Sequence, residues 1–202
     1  TTLKLSLFDL YSKIFKKLNP IQKKLFMNIS IKDINKKLRG VAGVNMDYSE
    51  KSAFSKFNFD KNPITKSKKV NVLICTHCFF DNPHAYGEYK KSNLFIDFYE
   101  WINFLSKISH KTNYNWFIKP HRDYLPGTIE IISSMIKKFN NIKLVSPESS
   151  FHQLKLNLDH VLTVYGSVAH ELPLLGVNVI NASKIHPHMS YKFSTTPKNL
   201  QD

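Results

Sequence analysis

The chain has 202 residues, of which 42% are hydrophobic, and this balance indicates a folded protein with one main core and excludes a disordered or fibrous chain. Two cysteines are too few for a disulfide framework, so we expect a reducing compartment. The formal net charge of +14 favours anionic partners, which include phosphorylated small molecules, an anionic membrane surface and nucleic acid.

Residues 1–47 are predicted to form a basic helical segment. From Leu3 to Leu18, apolar residues recur at helical spacing with lysines between them, which is the pattern of an amphipathic helix. Pro20 fits the start of a second helix, whereas the stretch after Asn28 has no clear pattern. Two interpretations of the first helix stay open. It packs on the core, which we favour, or it binds an anionic membrane.

No apolar run reaches the ~20 residues of a membrane-spanning helix, and the beginning of the chain lacks the pattern of a signal peptide. We therefore expect a cytoplasmic protein, with association at the inner face of the plasma membrane left open. Because the chain begins with Thr1, we also expect it to be either a piece of a larger product or a processed chain.

Residues 48–69 are polar and have no sustained period, so we predict a linker there. From residue 70 to 202, short β-rich runs alternate with helical ones. Strands are predicted at 70–75, 116–119, 142–145, 160–164 and 177–180, and helices at 94–108, 128–139, 151–156 and 168–174. This alternation predicts an α/β fold with an open, doubly wound, parallel sheet of the Rossmann-like kind.

The loop after the first predicted strand is dense in groups that bond ligands, and ligands of such sheets bind beyond the carboxyl ends of the strands. We expect His77, Asp81 or His84 to be a catalytic base, since imidazole and carboxylate groups accept protons near neutral pH. The alternative is that the histidines bond only loop backbone. Cys75 and Cys78 have no second pair to complete a zinc site, and we interpret them as small, half-buried hydrophobes.

Cationic residues follow the second predicted strand. Lys119, His121 and Arg122 stand where a helix begins shortly afterwards, and we expect them to bind phosphate. The alternative is a solvated charged turn, which is the commoner role of such clusters.

A tight turn follows the fourth predicted strand. Gly166 and Ser167 leave backbone N–H groups for an anion, and Ser167 is the expected N-cap of the next helix. Glu171 would then lie in the first turn of that helix, where it interacts with the helix dipole or accepts hydrogen bonds from ribose hydroxyls.

Four motifs follow one another in the chain: Lys119-Pro120-His121, Gly166-Ser167, Glu171 and Gly176. In this order they resemble the C-terminal, nucleotide-sugar-binding half of GT-B glycosyltransferases. The group they resemble takes part in the biosynthesis of surface (capsule and lipopolysaccharide) carbohydrates. The resemblance covers residues 70–193. It implies that His121 and Ser167 face phosphate and that Glu171 holds the ribose. Arg122 departs from the family pattern, in which Pro commonly follows the His, and no acceptor half is evident before residue 70.

The resemblance implies transfer of a sugar from a nucleotide-sugar to a surface-polysaccharide acceptor. We predict no metal, since no acidic DxD-like pair follows a strand, and no cofactor besides the donor substrate. The expected partners are a nucleotide-sugar, a saccharide acceptor and either a second domain or another copy of the chain. We expect no nucleic acid, because no nucleic-acid recognition motif is present. The alternatives are a sugar-nucleotide epimerase of the same fold and a non-catalytic module that senses nucleotides or binds a membrane surface.

Overall fold

A computed structural model of the protein describes residues 7–42, 51–55, 62–77, 94–183 and 191–201, with only the backbone of 7–9. The chain divides into two compact units, Thr1–Lys56 and Phe57–Asp202.

The first unit contains two helices, α1 (Leu7–Lys17) and α2 (Pro20–Leu38). Asn19 caps α2, because its side chain accepts a 2.9 Å hydrogen bond from the backbone N–H of Gln22. The Gln22 side chain in turn accepts one of 3.1 Å from the Asn19 N–H. This reciprocal capping box satisfies N–H groups that the helix itself leaves without acceptors. Helix α2 also includes the stretch after Asn28 that had no clear sequence pattern.

The apolar side of α1 is exposed. Leu10, Tyr11, Ile14 and Phe15 are 42–63% accessible. The favoured expectation, that this face packs on the core, stays a prediction. Helix α2 has no buried residue. Across the described parts of the chain, no helix combines the length and apolar character needed to cross a membrane.

The second unit is built on a parallel sheet of five strands in the order β3-β2-β1-β4-β5. The strands are β1 (Asn71–Cys75), β2 (Asn115–Lys119), β3 (Ile142–Leu144), β4 (His160–Thr163) and β5 (Asn178–Asn181). The predicted open, doubly wound, parallel α/β sheet is confirmed. Strand β1 is buried along its whole length, as expected for a central strand covered on both faces.

Helices connect the strands: α3 (Phe98–Ser109), α4 (Thr128–Lys137), α5 (Phe151–Leu154) and α6 (Val168–Glu171), with 3₁₀ turns at Lys155–Asn157 and Pro173–Leu175. Helix α3 begins four residues later than predicted, because the Asp97 side chain caps it by accepting a 2.7 Å hydrogen bond from the Glu100 N–H. The helix predicted over 168–174 is split after Glu171. Pro173, which has no N–H, starts a separate 3₁₀ turn.

The main core lies between the sheet and helices α3 and α4. Val72 and Ile74 of β1 belong to one buried cluster with Trp101 and Ile102 of α3 and Ile132 of α4. Burial of apolar side chains in this cluster fixes the two helices on the sheet.

Part of the predicted linker, residues 62–69, lies against the sheet unit. Ile64 is fully buried. The Asn62 side-chain amide donates to the carbonyl of Gln153 at 2.6 Å, and the Asn157 amide donates to the carbonyl of Ile64 at 2.6 Å. This stretch is therefore fixed by buried contacts. The domain limits beyond it stay a prediction.

Candidate functional site

The direction of chain progression reverses between β1 and β4. From β1 the chain moves outward to β2 and β3, and β4 then returns to the other side of β1. Loops that leave adjacent strands in opposite directions open a crevice at the carboxyl edge of the sheet, and ligands of open α/β sheets bind in this crevice. Cys75 is in register with both Lys119 and Thr163, so the residues that follow all three emerge at one edge.

The ring of His77, just after β1, stacks on two rings from neighbouring elements. Its centroid lies 5.5 Å from that of Phe98 with an interplanar angle of 12°, and 6.1 Å from that of His121 with an angle of 6°. Phe98 is the first residue of α3, and His121 follows β2. The structure therefore brings together two of the predicted site residues, His77 and His121.

Gly166, just after β4, lies against His77. A Cβ atom on Gly166 would be 2.7 Å from the Thr163 hydroxyl oxygen and 3.3 Å from Nε2 of His77. Real Cβ atoms almost never approach other heavy atoms within 3.0 Å, so a larger residue at position 166 would force the Thr163 side chain or the turn to shift. The imidazole after β1 and the turn after β4 thus meet at the point where the sheet topology reverses.

The ring of His121 is exposed beside the crevice, and its Nδ1 atom lies near two backbone groups of Asp123. The Asp123 N–H is 3.1 Å from Nδ1 and can donate to it, and the Asp123 carbonyl oxygen is 3.3 Å away and can accept from it. Which ring nitrogen carries the proton therefore depends on the tautomer. In either tautomer, Nε2 can form a hydrogen bond with a ligand, as donor or as acceptor.

Lys119 is directed toward the turn after β3. It is only 3% exposed, its amine donates to the carbonyl of Pro147 at 2.7 Å, and it lies 5.2 Å from the ring centroid of Phe151. Burial lowers the pKa of Lys119 to about 8. Cys75, which was interpreted as half-buried, is only 6% exposed, and this burial raises the pKa of its thiol to about 12. The predicted binding of phosphate by Lys119 has no support in these contacts and stays a prediction.

Arg122 pairs with Glu148. Its Nε and one terminal nitrogen lie 3.1 and 3.0 Å from the same carboxylate oxygen, and that terminal nitrogen also donates to the Glu148 carbonyl at 3.0 Å. Because Arg122 is only 6% exposed, the alternative of a solvated turn does not describe it. The pair joins the turn after β2 to the turn after β3. Binding of phosphate by Arg122 also stays a prediction.

Ser167 and Glu171 differ in accessibility and role. Ser167 occupies the N-cap position of α6, but its own backbone is helical (φ −58°, ψ −22°) and its side chain makes no capping hydrogen bond. Ser167 is therefore at the predicted N-cap position, without the side-chain hydrogen bond that such a cap usually makes. Glu171 is the last residue of α6 and is 1% exposed, so its carboxylate lies inside the unit.

Three buried polar residues at strand ends were not singled out from the sequence, namely Thr76, Thr163 and Asn181. Within the described ranges, the hydroxyl oxygens of the two threonines and the amide nitrogen of Asn181 have no hydrogen-bond partner. Thr163 and Asn181 are register partners in β4 and β5. The sequence signal was a polar residue directly after the short apolar run within each strand.

Asp81, His84 and Cys78 lie outside the described residues. In the described ranges, no group of three or more His, Cys, Asp and Glu side chains is arranged to hold a metal ion. The metal-independence of the chain stays a prediction.

No family model and no curated protein matches the chain. A solved structure that is similar to it is Thermosulfurimonas dismutans KpsC, described as a beta Kdo 2,7 transferase, with 14% sequence identity and a TM-score of 0.54. The match covers 96% of this chain and 51% of that chain, so the chain spans about half the length of KpsC. The likeness shows that the chain shares the fold of part of a transferase.

Proposed function

We propose that the Phe57–Asp202 unit binds the nucleotide of an activated sugar in the crevice between the carboxyl ends of β1 and β4. The chain would then be the donor-binding half of a GT-B type glycosyltransferase that acts on a surface-polysaccharide acceptor. The observation that carries this proposal is the contact of His77 with the Gly166 turn at the reversal of the sheet topology. The fold shared with a transferase supports it.

In this proposal the phosphates lie near His121 and the Gly166–Ser167 turn. The exposed ring of His121 would donate from Nε2 in the tautomer that accepts the Asp123 N–H at Nδ1. The backbone N–H groups of Gly166 and Ser167 have no acceptor among the described residues. Backbone N–H groups of a tight turn stabilise anions. Glu171 would accept hydrogen bonds from the ribose hydroxyls, and its burial requires that the ligand enter deeply beside α6.

Lys119 and Arg122 contribute indirectly. Both hold the turn after β3 against the turn after β2, through Pro147 and Glu148. Since His121 stands between them in the chain, these contacts fix the backbone that carries the His121 ring. Their role in the proposal is to position His121, with direct phosphate contact left to His121 itself.

The proposed reaction is a displacement at the anomeric carbon of the donor sugar. The oxygen of an acceptor hydroxyl forms a bond to that carbon, and the bond from the carbon to the phosphate oxygen breaks. The electron pair leaves with the nucleotide, and a base takes the hydroxyl proton. Stabilising the leaving phosphate is the larger task of the protein, and donors aimed at that charge suit it. The candidates for this base are His77, Asp81 and His84, of which His77 lies within the described residues.

Turnover assays distinguish this function from its alternatives. The chain would be incubated with UDP-, GDP- and CMP-linked sugars, with and without saccharide acceptors, while nucleotide release and sugar products are measured. Nucleotide release that depends on the acceptor, and is lost in His121→Ala, supports a transferase. Interconversion of free nucleotide-sugars without an acceptor would indicate an epimerase. Nucleotide binding without either reaction, even with added acceptor-half protein, would favour a sensing module.

A further inference from the structure

Helix α1 carries an exposed apolar stripe, formed by Leu10, Tyr11, Ile14 and Phe15. The spacing of these residues places them on one side of a helix with 3.6 residues per turn. All four are between 42% and 63% exposed. Contiguous exposed apolar surface of this kind on a folded protein indicates a surface that another molecule or a membrane covers.

Positive charge is concentrated on the same segment. Residues 7–42 hold eight lysines and one arginine against two aspartates and no glutamate, which gives a net charge of +7. This is half of the +14 carried by the whole chain. Lys13, Lys16 and Lys17 border the stripe, and their long side chains can reach outward while the apolar face is covered.

The junction between α1 and α2 is held by specific hydrogen bonds. The amine of Lys23 in α2 donates to the carbonyl of Lys16, in the last turn of α1, at 3.2 Å. Asn19 and Gln22 cap the start of α2 reciprocally. The Lys16 carbonyl in the last turn of α1 therefore has a side-chain partner from α2, and α2 has a capped start directly after α1.

We propose that α1 lies in the surface of an anionic lipid bilayer, with the stripe inserted among the acyl chains and the lysines at the anionic headgroups. A short helix with an apolar face and a lysine-rich polar face has the properties of an interfacial membrane-binding helix. Anionic headgroups attract clustered lysines, and this attraction adds to the burial of the stripe.

Charge decides between a bilayer and a second copy of this chain. Two copies meeting through α1 would bring two segments of net charge +7 together, and like charges at a contact oppose association. An anionic bilayer instead neutralises the lysines that border the stripe. An acidic protein would carry the same negative charge as the bilayer, so binding of such a protein is one outcome of the test.

The test uses the full chain in co-sedimentation with vesicles of phosphatidylcholine alone or mixed with phosphatidylglycerol. We expect binding to the mixed vesicles and at least about tenfold weaker binding to pure phosphatidylcholine. Ile14→Glu places a charge in the stripe and is expected to lower the vesicle partition coefficient by about tenfold or more. Ser12→Glu changes the net charge equally at a position off the stripe, and should retain most of the binding.

Circular dichroism and light scattering of both variants show whether each stays folded and monomeric. The proposal is contradicted if the wild-type chain does not bind the mixed vesicles, or if Ile14→Glu and Ser12→Glu bind them equally. A dimer that Ile14→Glu dissociates, with vesicle binding unchanged, would assign the stripe to a copy–copy contact instead. Capture of an acidic protein through the stripe, without vesicle binding, would also overturn the proposal.

Discussion

The side-chain oxygen of Asn181 accepts a 3.2 Å hydrogen bond from the backbone N–H of Tyr165, which joins the end of β5 to the turn that leaves β4. The same oxygen accepts a second bond of 3.2 Å from the N–H of Ser183. Tyr165 has φ of 62°, a left-handed conformation that costs a non-glycine residue about 1–2 kcal/mol. Asn181 therefore holds Tyr165 in a strained conformation, and that conformation sets the path of the chain into Gly166.

Asn181→Ala is expected to lower the free energy of unfolding by about 2–3 kcal/mol, because two N–H groups lose their acceptor. It should also weaken nucleotide binding, since the Gly166 turn is no longer held. Urea unfolding and calorimetry measure the two effects. The control is Asn178→Ala at the exposed start of β5, with an expected change within about 0.5 kcal/mol. Equal effects of the two variants would argue against the role of Asn181.

Gly166→Ala and Gly176→Ala form a second matched pair. Gly176 has φ of +81° and open space around its Cα, so alanine there costs about 1–2 kcal/mol of backbone strain and touches nothing. Alanine at position 166 instead meets Thr163 and His77. We expect both variants to be less stable in urea unfolding, and only Gly166→Ala to lose nucleotide affinity. Unchanged nucleotide binding by Gly166→Ala would place the ligand elsewhere.

Lys119 predicts a pH dependence of stability. Its pKa is about 8 in the folded chain and 10.5 when unperturbed, so between these values the unfolded chain holds a proton that the folded chain has lost. Stability therefore rises as pH increases through this window and is lower below pH 8. We expect the free energy of unfolding to increase by about 1 kcal/mol between pH 8 and 9, and Lys119→Met to remove the increase.

The thiol of Cys75 lowers the free energy of unfolding as the pH increases above 9, which is opposite to the effect of Lys119. Its pKa is about 12 in the folded chain against 9.0, so there the unfolded chain loses a proton that the folded chain keeps, and stability falls. Cys75→Ala removes this contribution and serves as the background for both measurements. A flat stability profile from pH 8 to 10 in Cys75→Ala would contradict the burial of a titrating Lys119 amine.

Arg122→Met is expected to lower the free energy of unfolding by about 2 kcal/mol. This loss is smaller than for a fully buried ion pair, because the Glu148 side chain is 37% exposed and solvent screens the interaction. Arg122→Lys keeps the charge but not the several parallel hydrogen bonds, and should fall between Arg122→Met and the wild type. Urea unfolding gives both values. If Arg122→Lys were as stable as the wild type, charge alone would explain the contact.

The sheet and its connections followed from the sequence, because the strands are short apolar runs between polar turns and the helices have an apolar face. The full length of helix α2 did not follow from the sequence, since its apolar residues do not form one stripe and none of them is buried. The later start of α3 was encoded by Asp97 and Glu100, a capping signal that the preceding apolar residues Leu94 and Phe95 obscured.

The edge of the sheet that carries the site was predictable, but the contacts within it were not. His77, His121 and Gly166 come together because three parallel strands end side by side, which the strand pattern implied. The partners of Lys119 and Arg122 stand 28 and 26 residues later in the chain, and no local pattern points to them. The role of Asn181 depends on the left-handed backbone of Tyr165, which appears only in three dimensions.

The most direct test of the donor-binding proposal is calorimetric titration of the full chain with UDP, GDP, CMP and CDP. It would include His121→Ala and Glu171→Ala, with His160→Ala and Glu130→Ala as controls that change the same residue types outside the crevice. We predict saturable binding of one nucleotide, weakened about tenfold or more in the two site variants and unchanged in the controls. Absence of binding by every nucleotide, or equal losses in site and control variants, would contradict the proposal.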